Sequence, residues 1–200
     1  MDEIFPWGWG NEVLYRMCRE RPQHTDNDVI SGKLWLIGRA YSAAIERGAG
    51  DAIIAGKDLH QTIAPEIKAS PLDAWLKEIS DIEFVDKENL SRVLAVHQRF
   101  TLLMKRLTKR ERRSFTSKYL HFHNPNAFFI YDSRATAAVR KCVGRRRFPI
   151  PNSCTEADDV YATFVLRCIE FRDTDAKSGQ PPLTPRQLDQ LLLGYGLPPR

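Results

Sequence analysis

The sequence has no apolar run that approaches the ~18–20 residues needed to cross a bilayer. Its first ten residues, MDEIFPWGWG, begin acidic and lack the basic-then-apolar pattern of a signal peptide. These two absences argue against a membrane-embedded or secreted protein, so we expect a cytoplasmic location. Apolar residues make up 42% of the 200 residues and charged residues 28%, which is typical of a folded globular protein.

Cysteine is scarce, and the four that occur are widely spaced: Cys18, Cys142, Cys154 and Cys168. They form no CxxC pair and no short ladder with histidine, which argues against a zinc site. Their spacing is also not that of a disulfide framework. We therefore expect buried, reduced cysteines, no metal and no other cofactor.

No stretch alternates apolar and polar residues for long enough to predict a sheet. Apolar residues instead recur every three or four positions, as on one face of a helix. We predict an all-α fold of about seven to nine helices. It forms a single domain over residues 1–200, with possible lobes at 1–88 and 89–200 around a cleft.

Polar residues mark where several of these helices begin. Asp28 is the predicted cap of a helix over 29–47. Thr108, Ser153 and Thr184 are each followed three residues later by Glu or Gln. This is the capping-box pattern, and it predicts three further helix starts.

Acidic residues are nearly missing from the segment 105–147, which holds thirteen Lys and Arg but only Glu111 and Asp132. Its net charge is therefore +11, and the rest of the chain carries −6 of the overall +5. A cationic surface on an otherwise acidic body favours a polyanionic partner such as nucleic acid. A solvated basic face is the alternative interpretation.

Asp132 is the only carboxylate in residues 112–147 and comes directly before a predicted helix. There it can cap backbone N–H groups and stay ionised at the positive end of the helix dipole. An ionised carboxylate on a polyanion-binding surface can act as a general base or stabilise a developing cation. A plain helix cap is the simpler explanation of the same position.

The residues around Asp132 resemble the catalytic region of the helix-hairpin-helix DNA glycosylase superfamily. In that family a short apolar segment leads to an essential aspartate, at which the next helix begins. Residues 128–134, FFIYDSR, followed by Val139 and Arg140, are similar to this pattern, and Asp132 falls on the essential position. Two features depart from it: residues 110–113, RERR, hold none of the usual hairpin glycines, and the iron–sulfur cysteines are missing.

The resemblance implies that a base is rotated out of the duplex and that Asp132 assists hydrolysis of its N-glycosidic bond. Phosphate contacts are then expected from Lys109, Arg110, Arg112, Arg113, Ser117, Lys118, Arg134, Arg145, Arg146 and Arg147. The candidates for the base pocket are Tyr119, His121, Trp35 and Tyr41. Core packing is the alternative for Tyr119 and Trp35.

Lys118 also leaves open a lyase mechanism, in which its amine attacks the sugar C1′. A gap-free correspondence places Lys118 past the family's usual lysine position. A monofunctional enzyme, with Lys118 as a phosphate contact, is therefore the favoured interpretation.

The preferred prediction is a monomeric DNA glycosylase that removes a damaged or modified base from double-stranded DNA, in repair or in defence against phage. The alternative is a basic helical module that binds DNA or RNA without catalysis. A nuclease is a third interpretation, but it needs clustered carboxylates for Mg²⁺, and the basic segment lacks them.

Overall fold

The computed structural model describes residues 8–46, 59–176 and 181–194, and the regular elements in these ranges are all helices. The predicted all-α fold is confirmed. The helices are α1 (Gly8–Glu20), α2 (Asn27–Ala40), α3 (Leu59–Lys68), α4 (Leu72–Lys77), α5 (Leu90–Thr108), α6 (Arg113–His123), α7 (Ser133–Val143), α8 (Asp159–Ala176) and α9 (Pro185–Leu192). None of these helices is long and apolar enough to cross a membrane.

One connected cluster of buried side chains joins helices from both halves of the chain. It includes Leu34 of α2, Phe100 of α5, Phe115 of α6 and Phe164 of α8. Burying a side chain of this size stabilises the fold by roughly 1.5–3 kcal/mol. The division into two lobes stays a prediction.

Helix α6 is the most enclosed element of this core. All eight residues from 115 to 122 are buried, and α6 contacts α1, α2 and α5. Polar residues on α6 therefore lie inside the protein, where each of them needs a hydrogen-bond partner.

The start of α2 differs from the predicted one. Asp26, not Asp28, caps this helix, since its Oδ1 accepts hydrogen bonds from the N–H groups of Asp28 (2.8 Å) and Val29 (3.4 Å). The helix ends at Ala40, so the predicted span 29–47 is too long, and its last residue lies outside the described residues.

The three capping-box predictions have different outcomes. Thr184 and Gln187 form the predicted box at the start of α9. Thr108 does not cap α6, because its hydroxyl donates to the Met104 carbonyl (2.8 Å) and so ends α5. Ser153 does not start a helix either. The next helix begins at Asp159, after Asp158 accepts a hydrogen bond from the Tyr161 N–H (2.8 Å).

The turn between α5 and α6 forms without glycine. Lys109 adopts the left-handed backbone conformation, with φ 59°, that glycine usually supplies at a helix end. This costs about 1 kcal/mol for a residue with a Cβ. Arg112 supports the turn by donating hydrogen bonds to the Ile45 carbonyl (2.7 Å) and to Thr108 Oγ1 (3.1 Å).

Candidate functional site

The segment 127–131, between α6 and α7, positions Asp132. It is not helical and is largely buried, so its backbone groups need partners other than a helix ladder. Three side chains supply them: His121 Nδ1 donates to the Phe128 carbonyl (2.7 Å), the Tyr161 hydroxyl donates to the Phe129 carbonyl (3.0 Å), and Ser117 Oγ accepts from the Tyr131 N–H (3.0 Å). The path of the chain into Asp132 is thereby fixed.

Asp132 caps α7, as predicted. Its Oδ1 accepts a hydrogen bond from the Ala135 N–H (2.8 Å), while its Oδ2 lies 3.5 Å from Nζ of Lys118. The side chain is still 27% exposed. One carboxylate oxygen is therefore held by the helix, and the other is available to a cation or a ligand.

Lys118 reaches Asp132 from the interior. Its side chain is only 2% exposed, and Nζ also donates to Ser114 Oγ (2.8 Å). Burial lowers the pKa of Lys118, and the charge of Asp132 acts in the opposite direction. This burial argues against the predicted phosphate contact of Lys118.

A cavity of about 490 Å³ opens beside Asp132, a volume within the range of small-molecule sites. Leu36 and Leu193 belong to its apolar wall. Gly10 also belongs to the lining, and a Cβ added at this position would meet no atom within 4 Å. The polar residues of the lining are Asn11, Tyr41, Ser42, Asp132, Arg134, Arg186, Asp189 and Gln190.

Asp189, on α9, is a second carboxylate of this cavity and is 3% exposed. Its Oδ2 accepts a hydrogen bond from Arg186 Nη1 (2.9 Å), while no described residue is a partner for Oδ1. The pKa of Asp189 is raised to about 6, chiefly by burial; the charge of Arg186 opposes this shift, and the nearby Asp132 contributes to it.

Asp189 and Arg186 are not among the site residues predicted from the sequence, although the sequence carries a signal for the carboxylate. In α9, Asp189 follows Pro185 by four residues and Leu188 by one, and all three side chains are buried. An acidic residue at this spacing lies on the apolar face of a helix, where a carboxylate is costly. Such a residue is a candidate for function.

Tyr41 is the one predicted base-pocket residue that lines the cavity with Asp132. Its hydroxyl donates to Asn11 Oδ1 (2.5 Å) and accepts from Arg186 Nη1 (3.2 Å). Burial raises the pKa of Tyr41 to about 12, so the hydroxyl stays neutral. The ring offers an aromatic wall 5.9 Å from Nζ of Lys118.

The other three base-pocket predictions are not supported by position. Tyr119 is fully buried in the core, and His121 is fully buried between the Phe128 carbonyl and the hydroxyl of Tyr15 (2.6 Å). Trp35 is 48% exposed on α2 and is not part of the cavity lining. Helical spacing alone does not show which of these aromatic residues is buried in the core, exposed at the surface or part of a cavity wall.

Several predicted phosphate contacts already have partners inside the protein. Ser117 is buried and accepts a hydrogen bond from the Tyr131 N–H, which argues against its predicted contact as well. Arg113 pairs with Asp158 and Glu111, and Arg146 pairs with Glu170 at 2.7 Å. Arg112 is used in the α5–α6 turn.

The remaining predicted contacts are exposed: Lys109, Arg110, Arg134, Arg145 and Arg147. Arg134 lines the cavity, and Lys141, seven residues later in α7, is exposed on the same face of the helix. Two exposed cations, Arg134 and Lys141, therefore share the face of α7 that begins beside Asp132. This face is a surface that can follow a phosphate backbone.

A second polar cluster lies against another face of α6, and we call it the Tyr119 network. His24 Nδ1 donates to Asp73 Oδ1 (2.5 Å), and its Nε2 accepts from the Tyr119 hydroxyl (2.8 Å). Lys33 Nζ donates to Nε2 of His123 (3.1 Å), whose Nδ1 donates to the Tyr119 carbonyl (2.9 Å). Burial lowers the pKa of His24 to about 4, so this imidazole is neutral at physiological pH.

No protein-family profile, curated protein or solved structure matches this chain. In the part of the chain that the structure describes, no group of three His, Cys, Asp or Glu residues is arranged to hold a metal ion. The cavity lining offers two carboxylates, two arginines and the hydroxyl of Tyr41 to a ligand.

Proposed function

We propose that this protein is a DNA glycosylase that hydrolyses the N-glycosidic bond of one base extruded from double-stranded DNA. The observation that carries the proposal is the position of Asp132. This carboxylate is fixed at a helix start and opens on a cavity of about 490 Å³, and two exposed cations share the face of α7 that begins beside it. The resemblance of residues 128–134 to the glycosylase superfamily supports the same reaction.

The reaction places a positive charge next to Asp132. When the bond between C1′ and the base nitrogen breaks, the electron pair stays on the base and the sugar becomes oxocarbenium-like. The carboxylate of Asp132 stabilises this cation and accepts a proton from the water whose oxygen bonds to C1′. The products are a free base and an abasic site.

Lys118 acts as a positioning residue in this proposal. Its Nζ lies 3.5 Å from Asp132 Oδ2 and bonds to Ser114, so it holds the carboxylate toward the cavity. The reaction is then monofunctional, with water as the nucleophile. Borohydride trapping checks this, since a covalent adduct between Lys118 and DNA would instead establish the lyase mechanism.

The activity is tested with labelled duplexes that carry single damaged bases and with phage DNA that carries modified bases. After incubation with the protein, heating in alkali cuts DNA at abasic sites. We expect strand breaks at defined positions. Breaks in the damaged duplexes support a role in repair, and breaks in the phage DNA support a role in defence.

Asp132→Asn should lower base release at least about 100-fold, since one preorganised stabilising group is worth about 10²–10³ in rate. Asparagine caps helices as well as aspartate does, so the fold should persist. Asp26→Asn is the matched control, because it makes the same substitution at the cap of α2. Salt-sensitive DNA binding without breaks by the wild-type protein would contradict catalysis and favour the non-catalytic DNA- or RNA-binding module.

A further inference from the structure

We infer that Asp189 is the general acid of this site and gives its proton to the departing base. The preferred substrate is then an uncharged base with a basic ring nitrogen. The inference rests on the proposed glycosylase function and deepens it, because it assigns a substrate class to the cavity.

One oxygen of Asp189 is buried without a hydrogen-bond partner among the described residues, in a residue that belongs to the cavity lining. Its Oδ2 is used by Arg186, while Oδ1 has no partner among the described residues, although the side chain is 3% exposed. A buried oxygen without a partner costs about 1–3 kcal/mol. The protonated carboxyl group of Asp189, which lines the cavity, can remove this cost by donating a hydrogen bond to a base.

The two carboxyl groups of the cavity have different surroundings. Asp132 is partly exposed, faces Lys118 and accepts a hydrogen bond from a helix N-terminus, and these contacts stabilise the charged carboxylate. Asp189 is enclosed, and its burial favours the protonated form. Two carboxyl groups whose environments differ in this way suit the roles of base and acid in one reaction.

The ionisable groups around Asp189 come from its own helix and from α1, α6, α7, α8 and the end of α2. Arg186 shares its helix, and the groups that face it from elsewhere are Tyr15, Tyr41, Lys118, Asp132, Arg134 and Cys168. Arg186, Lys118 and Arg134 lower the pKa of Asp189, while Asp132 and burial raise it to about 6. A proton donor works best with a pKa near the working pH, and Asp189 meets this condition.

The complete reaction balances with these two residues and water. As the C1′–N bond breaks, Asp189 transfers its proton to a ring nitrogen, and the bonding electron pair stays on the released base. Water bonds to C1′ through its oxygen and gives its proton to Asp132. Asp189 then takes a proton from solvent, and Asp132 returns its own, which restores both residues.

The proton that Asp189 donates to the departing base determines which class of substrate the site suits. A base that already carries a positive charge, such as 7-methylguanine, leaves without further protonation. An uncharged purine is a poor leaving group until a ring nitrogen is protonated. A site with a built-in acid is therefore suited to uncharged bases.

The test compares base release from two kinds of duplex. One kind carries 7-methylguanine, and the other carries hypoxanthine, 8-oxoguanine or adenine opposite 8-oxoguanine. Asp189→Asn should lower the release of uncharged bases at least about 100-fold, the usual contribution of general acid catalysis. It should change 7-methylguanine release less than about threefold, whereas Asp132→Asn should reduce both.

The pH profile separates an acid from a structural residue. The wild-type rate on uncharged bases should fall as the pH rises above 6, and this decline should be missing in Asp189→Asn. Asp159→Asn, which removes an exposed carboxylate on α8, is the control and should leave the profile unchanged. Equal losses on charged and uncharged bases, or release of 7-methylguanine alone by the wild-type protein, would overturn the inference.

A titration of the intact wild-type protein tests Asp189 without relying on activity or on a folded variant. Carbon-13 NMR of the aspartate carboxyl groups should show Asp189 titrating near pH 6. A midpoint near 4 overturns the general acid even if bases are released. If Asp189 titrates near 6 but no duplex loses a base, the proposed function itself fails, and the role of Asp189 fails with it.

Discussion

The cavity at Asp132 and the Tyr119 network lie against neighbouring residues of α6, yet their polar groups are used differently. In the Tyr119 network, the side chains bond to one another, and none of them leaves a buried oxygen or nitrogen without a partner in the described part of the chain. At the cavity, Asp189 keeps one oxygen unpaired, and Asp132 stays partly exposed.

This difference separates a structural cluster from a candidate site. Both regions contain buried lysines and shifted pKa values, for Lys33 as well as Lys118. Shifted pKa values therefore do not identify the functional region of this protein. An unpaired polar group in a residue that lines a cavity is a better indication, because a ligand can complete its hydrogen bonds.

The largest effect on stability should come from Asp189 as the pH changes. Its pKa is raised from 3.8 to about 6, so the folded state binds the proton more tightly than the unfolded chain. The contribution of this carboxyl group to the free energy of unfolding is therefore complete below about pH 4. It is lost as the pH rises through 6, and the loss is about 3 kcal/mol in total. Asparagine has no proton to lose, so Asp189→Asn should gain about this amount relative to the wild type.

Urea unfolding of both proteins between pH 4 and pH 8 measures this difference directly. The free energy of unfolding of the variant minus that of the wild type should increase with pH. The exposed substitution Asp159→Asn should give a nearly constant difference. A constant difference for Asp189→Asn too would mean that its carboxyl group is not enclosed as the structure shows.

Tyr119→Phe should have the next largest effect, and on stability alone. The substitution leaves Nε2 of His24 without its donor in a buried site, which costs about 1–3 kcal/mol. Base release per folded molecule should stay unchanged. Urea unfolding and the alkali-cleavage assay together check both parts, and a loss of activity in the folded variant would remove the distinction between the two regions.

Tyr41→Phe is the corresponding change at the cavity, and its pattern should be the reverse. Asn11 loses a hydrogen bond, but water in the cavity can replace it, so the loss of stability should stay below about 1 kcal/mol. Base release should fall severalfold, because Arg186 and Asn11 lose the hydroxyl that connects them. Unchanged release with a large loss of stability would place Tyr41 with the structural residues.

Lys141→Gln should affect DNA binding modestly. If α7 follows the phosphate backbone, the slope of log affinity against log salt should decrease by about one unit. Arg92→Gln is the control, because Arg92 is paired with Asp81 at 2.6 Å near the start of α5. Equal effects of the two substitutions on a salt titration would show that the basic face of α7 is not the DNA surface.

The smallest effect should come from the turn that precedes α6, which supports both regions. Lys109→Gly removes the left-handed strain and should raise the free energy of unfolding by up to about 1 kcal/mol. Lys109→Ala removes the same charge but keeps the strain, so it should show no such gain. Similar thermal shifts for both variants would attribute the effect to charge instead.

Helical spacing was sufficient to predict the all-α fold and the cap at Asp132, because both depend on neighbours in sequence. It could not choose between Asp26 and Asp28 as the cap of α2, since both residues favour that role. Nor could it show that α6 is enclosed, because this depends on contacts with α1, α2 and α5. For this reason Ser117, Lys118, Tyr119 and His121 were given surface or pocket roles.

The candidate site was predictable only in part for a related reason. Asp132 and Tyr41 were identified, but the cavity also needs Asn11 from α1 and Asp189 from α9, which are distant in sequence. The acidic residue on the apolar face of α9 could have indicated Asp189. No feature of the sequence near either residue indicates that Asp189 and Asp132 line the same cavity.

Gly10 has a consequence for how such a protein can diversify. A larger side chain there meets no neighbouring atom within 4 Å, and the position is part of the cavity wall. Substitutions such as Gly10→Val should therefore narrow the cavity without repacking the core. Under the proposed function, a change of one codon can therefore alter which bases the cavity accepts while the fold stays intact.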